Sequence, residues 1–421
     1  MPIDAPVGSD ARHDPYAALR APDVGLYLAG SLVGTLGLQM QEIAIGWELY
    51  ERTHSTLALG LVGLVLILPV IAFALPAGHV VDRFDRRRVL LIALSLYVLA
   101  SAGLAIVSAT RAPVWMVYAL LLLNGTATAF QSPAKSAYFA QTVPREHLAN
   151  GMTWSSFTWQ LASVLGPAAG GAVIGIAKSA TPAFVLGGAA SLLFATAIAF
   201  TRSRPTERTT VARDRRDFLA GLHYVLKTKV ILATLTLDMF AVLLGGATSL
   251  LPVFAKDILR VGPTGLGWLA AAPAMGAVLV AIALAYRKPM RNAGRTLMAA
   301  VIGFGGATIV FGLSRSFWLS IAMLVTIGGL DMISVVIRAT LVPLLTPDDM
   351  RGRVAAINGV FIGTSNELGG FESGALASLI GPVGAVVFGG IGTIVTVIGV
   401  GVLWPELRRL KNLDRGPAIE D

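Results

Sequence analysis

The chain is a succession of long apolar runs separated by short polar breaks, and this pattern predicts about twelve helices. Their approximate limits are 24–50, 56–81, 87–109, 113–140, 146–175, 181–201, 230–254, 263–285, 295–313, 317–343, 352–379 and 384–404. The run 57–78 carries no charged residue, and about 20 such residues at 1.5 Å each cross the hydrocarbon core of a bilayer. Residues 1–23 are polar and proline-rich, without the apolar core of a cleavable signal. The expectation is an all-α membrane protein whose first run acts as its own insertion signal.

Composition agrees: 55% of residues are hydrophobic and 14% charged, where soluble domains carry about 25% charged residues. The net charge of +9 is unevenly spread. Alternate breaks receive Arg83, Arg86 to Arg88, Arg145, the stretch 202–229, Arg287, Lys288, Arg291, Arg295, Arg351, Arg353 and Arg408 to Arg415. The other breaks hold Arg52, Arg111, Lys178, Lys256, Arg260 and Arg315. The basic side is expected to be cytosolic, with both termini on it. Topology thus accounts for the basic surplus, and no nucleic-acid partner is expected.

The absence of cysteine excludes disulfides, Cys-ligated zinc and thiol catalysis. Five scattered histidines (His13, His54, His79, His147, His223) offer no metal cage. No Ser/His/Asp set or soluble catalytic domain is recognisable. No G-x-x-x-x-G-K-[ST] loop occurs, so ATP is not expected to be the direct energy source. The chain is expected to be no enzyme, with no metal or cofactor.

The polar stretch 202–229 divides the chain, and its part from 217 onward has the makings of a surface helix. The expected organisation is a tail 1–23, a six-helix bundle 24–201, a linker 202–229, a second bundle 230–404 and a tail 405–421. An internal repeat appears at an offset of 203 residues: Gly125 meets Gly328, Lys135 meets Arg338, Pro144 meets Pro347, and Gly166 and Gly171 meet Gly369 and Gly374. Six spans per copy would insert both halves in the same orientation.

Between the second and third runs stands Gly78-His-Val-Val-Asp82-Arg83-Phe-Asp-Arg86-Arg87-Arg88. It resembles the loop signature of the major facilitator superfamily, G-x-x-x-D-R-x-x-R-[KR]. The stretches 42–53 and 365–374 are similar to the superfamily branch of bacterial efflux proteins that includes the enterobactin exporter. The run containing Gly166, Pro167, Gly170 and Gly171 resembles the helix motif of its antiporters, with Ala162 in place of the first glycine. Two departures stand out. An arginine common in the fourth span of relatives is replaced by Asn124 or a neighbour, and Ala285 occupies the aspartate position of the second loop copy.

The resemblance implies a twelve-helix fold of two parallel repeats and transport by alternating access. It also points Asp82 at the start of the eleventh run, near Arg351 and Arg353. Asp82 with Arg83 and Arg86 to Arg88 would then latch the cytosolic side, since a helix N-terminus favours a carboxylate. Solvated charge is the plainer reading of some of these arginines.

Charges inside spans are costly and point to function. Glu42, Lys135, Asp238, Asp331, Arg338, Glu367 and Glu372 are the inventory, with Glu48 nearer the outer surface. Glu42, Asp331 and Glu367, with Asp238 behind them, are the candidate proton-coupling or cation-binding acids, because apolar surroundings favour the neutral form of a carboxyl group. A structural pairing is the alternative for each. Asn124, Thr128, Gln131 and Lys135 recur at helical spacing, and Ser334 and Arg338 occupy the matching face of the tenth run. These stripes, with Gln39 and Asn366, are expected to line a central cavity. Trp47, Trp154, Phe157, Trp159, Phe240 and Phe361 are either substrate contacts or packing anchors.

The expected function is proton-coupled export of a small amphipathic compound, such as a drug or siderophore, by a monomer in a bacterial inner membrane. Import of a metabolite, movement of a lysolipid and a non-transporting sensor or scaffold stay open.

Overall fold

Hydrocarbon offers no hydrogen bonds, so each apolar run must satisfy its backbone internally, and each becomes a helix. The computed structural model describes residues 14–202, 215–287, 292–348 and 350–410. The ends of both tails, most of the expected linker, and Lys288 and Arg291 lie outside them.

The first group of helices is α1 (Pro22–Thr53), α2 (Thr56–Arg83), α3 (Arg86–Thr110), α4 (Val114–Thr142), α5 (Leu148–Ala177) and α6 (Thr181–Phe200). After α7 (Arg215–Lys227) come α8 (Lys229–Leu244), the short α9 (Leu251–Val253), α10 (Gly262–Ala285), α11 (Ala293–Leu313), α12 (Phe317–Leu344), α13 (Arg351–Leu403) and α14 (Pro405–Arg409).

Among the described residues, ten helices are long and apolar enough to cross a membrane, where the sequence predicts twelve spans. Two features separate the numbers. α1 is 32 residues long, but Gln39, Gln41, Glu42 and Glu48 interrupt its apolar run. α13 is two helices in one: Gly381, at φ 82° and ψ 159°, breaks it before Pro382, giving arms 351–380 and 382–403. That φ belongs to glycine.

α8 is shorter than the predicted run 230–254. Gly245 and Gly246 end it where a Cβ on Gly246 would sit 2.6 Å from Ser373 Oγ of α13. The chain continues through a 3₁₀ turn (Ala247–Leu250), α9 and a single π turn (Phe254–Ile258).

The helices pack in two groups. α1 lies against α5 and α6, α3 against α4 and α6, and α2 against α4. In the second group α12 lies against α10 and α11, and α13 against α8 and α11. Between the groups, α2 meets α13 and α5 meets α10. The repeat is visible in the packing. Gly125 of α4 meets the Leu66 carbonyl and Pro69 ring of α2, while Gly328 of α12 meets the Pro273 carbonyl of α10. α7 docks on the second half: Tyr224 donates to the Leu345 carbonyl at 2.6 Å, and Val225 packs with Val342 and Ile357.

The end holding Arg20, Arg83, Arg145, Arg202, Arg287 and Arg351 is called the basic end here, and the opposite end the far end. One hydrophobic core crosses both halves, and it holds far-end residues: Trp47, Tyr50 and Val117 with Leu250, Phe254, Leu266 and Phe311. Towards the basic end the cores are separate. Tyr27, Leu90, Tyr138 and Phe194 belong to the first half, and Leu237, Leu297, Ile337 and Val400 to the second. The halves are therefore joined at the far end and packed independently towards the basic end.

Candidate functional site

The far-end seam is built on glycine, which lets backbones touch. A Cβ on Gly171 of α5 would lie 2.8 Å from Gly267 Cα of α10, and one on Gly60 of α2 would lie 3.0 Å from Gly374 Cα of α13. Further towards the basic end these contacts lapse. A Cβ on Gly78, Gly359 or Gly363 would meet nothing within 4 Å. Gly359, Gly363 and exposed Asn366 share one face of α13. On one side of that face Gly369 meets α8 at the Val242 and Leu243 carbonyls, and on the other Gly374 meets α2 at Gly60. This uncovered face of α13, together with the separate cores of the two halves, implies a cleft between them that opens to the basic end.

Two acids from opposite halves lie at this cleft within range of each other's charge. Glu42 of α1 is exposed to it, and Glu367 of α13 is half-buried with Oε2 3.4 Å from the Cβ position of Gly63. The two are near enough for their charges to repel. Neither forms an ion pair among the described residues. Gln39, one turn before Glu42, is part-exposed beside Gly166 of α5.

The stripes on α4 and α12, expected to line a central cavity, find partners within their own bundles. Thr128 shares a hydrogen bond of 2.5 Å with Tyr97 of α3. Lys135 places Nζ 5.5 Å over the Phe194 ring of α6, and Asn124 and Gln131 are buried. In the second half Arg338 pairs with Asp238 of α8, both almost fully buried, and Asp331 lies within reach of both charges. Asp238, Asp331 and Ser334 line a small cavity with Val301 and Phe304 of α11. The reason is local: polar groups in an apolar bundle take the nearest available partners. Lys135 has no acid at the position equivalent to Asp238, which is Thr35, and takes an aromatic face instead.

The basic-end signature is also bound mainly within its own half. Asp85 caps α3 by accepting from the Arg88 amide at 2.9 Å. Arg86 reaches the Ala137 carbonyl at 3.5 Å, and Arg87 donates to the Ala199 carbonyl. Asp82 and Arg83 are exposed; Arg351 pairs with Asp348 at 2.6 Å, and Arg353 packs against Gly221 of α7. Among the described residues, Asp82 forms no ion pair with Arg351 or Arg353. In α5, Gly166 and Gly170 receive Gln39 and Met40 of α1, whereas Gly171 and the Pro167 carbonyl face Gly267 of α10.

Residues 13–418 match the family model described as transmembrane secretion effector. The chain belongs to this family. It is 25% identical over 402 residues to the enterobactin exporter EntS of Shigella flexneri, covering 94% of each chain, and 24% identical to that of Citrobacter koseri over the same length and shares. Solved structures share the fold at low identity. A D-xylose–proton symporter matches with TM-score 0.68 and 14% identity, over 91% of this chain and 97% of that one. A POT family transporter in complex with 5-aminolevulinic acid matches with TM-score 0.72 and 11% identity, over 92% and 97%.

This member of the secretion effector family is therefore a multi-pass membrane transporter of the major facilitator type, with an efflux role and no enzymatic one. One part of the transporter has no signal in its sequence. At the far end, Tyr50 of α1 donates a hydrogen bond to Asp257 in the π turn, and Lys256 Nζ lies 5.9 Å over the rings of both Trp47 and Tyr50. These partners are 207 residues apart, and although Tyr50 lies in the efflux-like stretch 42–53, nothing in the sequence pairs it with Asp257.

Proposed function

We propose that this transporter exports a small amphipathic compound by alternating access, driven by proton antiport. The observation that carries the reading is that Glu42 and Glu367, from opposite halves, lie within range of each other's charge in a cleft open at one end, with no ion pair to either among the described residues. Two like charges resist closure around them unless one takes a proton or the substrate brings a cation. Proton binding and substrate binding then compete for the same acids, which is the condition for antiport. The trio Asp238, Asp331 and Arg338, with one acid in excess and two of its members buried, is the second candidate for proton uptake. The basic end is the cytosolic end by its arginines, so the open cleft faces the compartment from which an exporter loads. The two bundles, 24–201 and 230–404, move as units, and Asp82 with Arg351 and Arg353 forms the cytosolic latch in the opposite conformation.

Similarity to enterobactin exporters supports siderophores as one cargo class, and drugs are the other. Thermal stabilisation of the purified protein across siderophores, cationic drugs and lysolipids selects the cargo. Proteoliposomes with an imposed pH gradient then test the coupling. Gradient-driven accumulation that is lost in Glu42→Gln or Glu367→Gln is the expected result. Accumulation independent of the gradient, or full retention in both variants and in Asp331→Asn, refutes the proton-antiport reading.

A further inference from the structure

We infer that Tyr50 and Asp257, with Lys256 lying across the rings, are the gate that holds the far end shut, and that losing it opens the transporter on that side. The inference rests on the alternating-access reading and adds to it the residues that set which side is open.

Three observations place the gate. The hydrogen bond joins α1 of one half to the π turn of the other, so no rotation of the halves that opens the far end can keep it. Lys256 spans the same junction through two aromatic faces of α1. Below this polar contact the seam is apolar or glycine-lined, as at Gly46 against Pro252 and Gly171 against Gly267. Such surfaces supply contact area with little directional preference, whereas a hydroxyl–carboxylate bond has a fixed partner and geometry. The π turn serves the junction, since it presents Lys256 and Asp257 consecutively towards the first half; such turns recur at working parts of helices.

With the cytosolic latch proposed above, each end carries a polar lock, and among the described residues only the far-end one is made. Tyr50–Asp257 is closed, while Asp82 is exposed and without an ion pair among the described residues. Breaking the made lock and breaking the unmade one should push the equilibrium in opposite directions.

The chain has no cysteine, so label pairs can be introduced directly. Ala109→Cys with Arg315→Cys reports the far end and Glu146→Cys with Arg287→Cys the basic end, all four positions being exposed. Spin-label distances on the purified full chain are compared in four backgrounds. Tyr50→Phe and Asp257→Asn are each expected to raise the far-end-open population about tenfold, the equivalent of about 1.4 kcal/mol. Asp82→Asn should lower it, and Tyr50→Phe with Asp82→Asn should fall between. Tyr118→Phe is the control: it removes a far-end hydroxyl bound at 3.0 Å to the Ala58 carbonyl within one half, and should shift nothing. Unchanged far-end distances in both Tyr50→Phe and Asp257→Asn, in a protein whose far end opens in other backgrounds or with substrate, overturn the gate alone. A far end that never opens under any condition overturns the gate and alternating access together.

Discussion

Gly170 and Gly171 are adjacent in α5, yet adding one methyl group to each should have opposite consequences. A Cβ on Gly170 would lie 2.9 Å from Met40 Cα and 3.0 Å from Met40 O of α1, in the same half. A Cβ on Gly171 would lie 2.8 Å from both Gly267 Cα and Gly267 N of α10, across the seam, and closer still to the Pro263 carbonyl. All these neighbours are backbone, so no rotamer change can relieve the overlap and a helix must shift. Overpacking of this kind costs about 1–3 kcal/mol. For Gly170→Ala the cost falls on every conformation, because α1 and α5 stay together, and it should appear as a lower melting temperature. For Gly171→Ala it falls only on the conformation with a closed far end, and should multiply the far-end-open population about 5- to 150-fold. The assays are thermal unfolding in detergent and far-end distances from the Ala109→Cys and Arg315→Cys pair. Equal losses of melting temperature with an unmoved far-end distance in Gly171→Ala would refute the idea that the second half of the motif belongs to the moving seam.

Three further outcomes are expected. Arg338→Met leaves Asp238 buried and unpaired and should destabilise by about 3–5 kcal/mol, with part recovered in Asp238→Asn with Arg338→Met, as thermal or denaturant unfolding of the double-mutant cycle will show. Lys135→Met should keep the packing on Phe194, raise stability by on the order of 1 kcal/mol and leave transport intact, since its charged end rests on an aromatic ring of its own bundle. Asp85→Ala removes the N-cap of α3 and should cost about 1 kcal/mol, seen as faster amide exchange in the first turn of that helix.

How legible this protein is depends on the question. Helices were readable because a bilayer forbids alternatives, and arginine placement separates the two ends without any structure. The repeat was readable from glycine and proline spacing, and Gly125 and Gly328 do sit at equivalent interfaces. Helical spacing also showed that Asn124, Thr128, Gln131 and Lys135 share a face, but not which neighbour that face meets. Tyr97 and Phe194 decide it, and nothing in α4 names them. Similarly, the loop signature specifies Asp82 and leaves Asp85 open, and only the start of α3 makes Asp85 its cap. Glu42 and Glu367 could be singled out as acids inside spans, whereas their proximity depends on how the halves dock. Tyr50 lies in the stretch 42–53 that carries the resemblance, but nothing there names Asp257 as its partner, because that pairing too is set by how the halves dock.

Access to the cleft from the two sides of the membrane can be measured directly. Gly363→Cys places a single thiol where a Cβ meets nothing within 4 Å, in a chain otherwise free of cysteine. A membrane-impermeant maleimide applied to inverted inner-membrane vesicles is expected to label it quickly, while intact spheroplasts protect it. Labelling from the outside only, or from neither side, would contradict a cleft that opens between the two halves towards the cytosol.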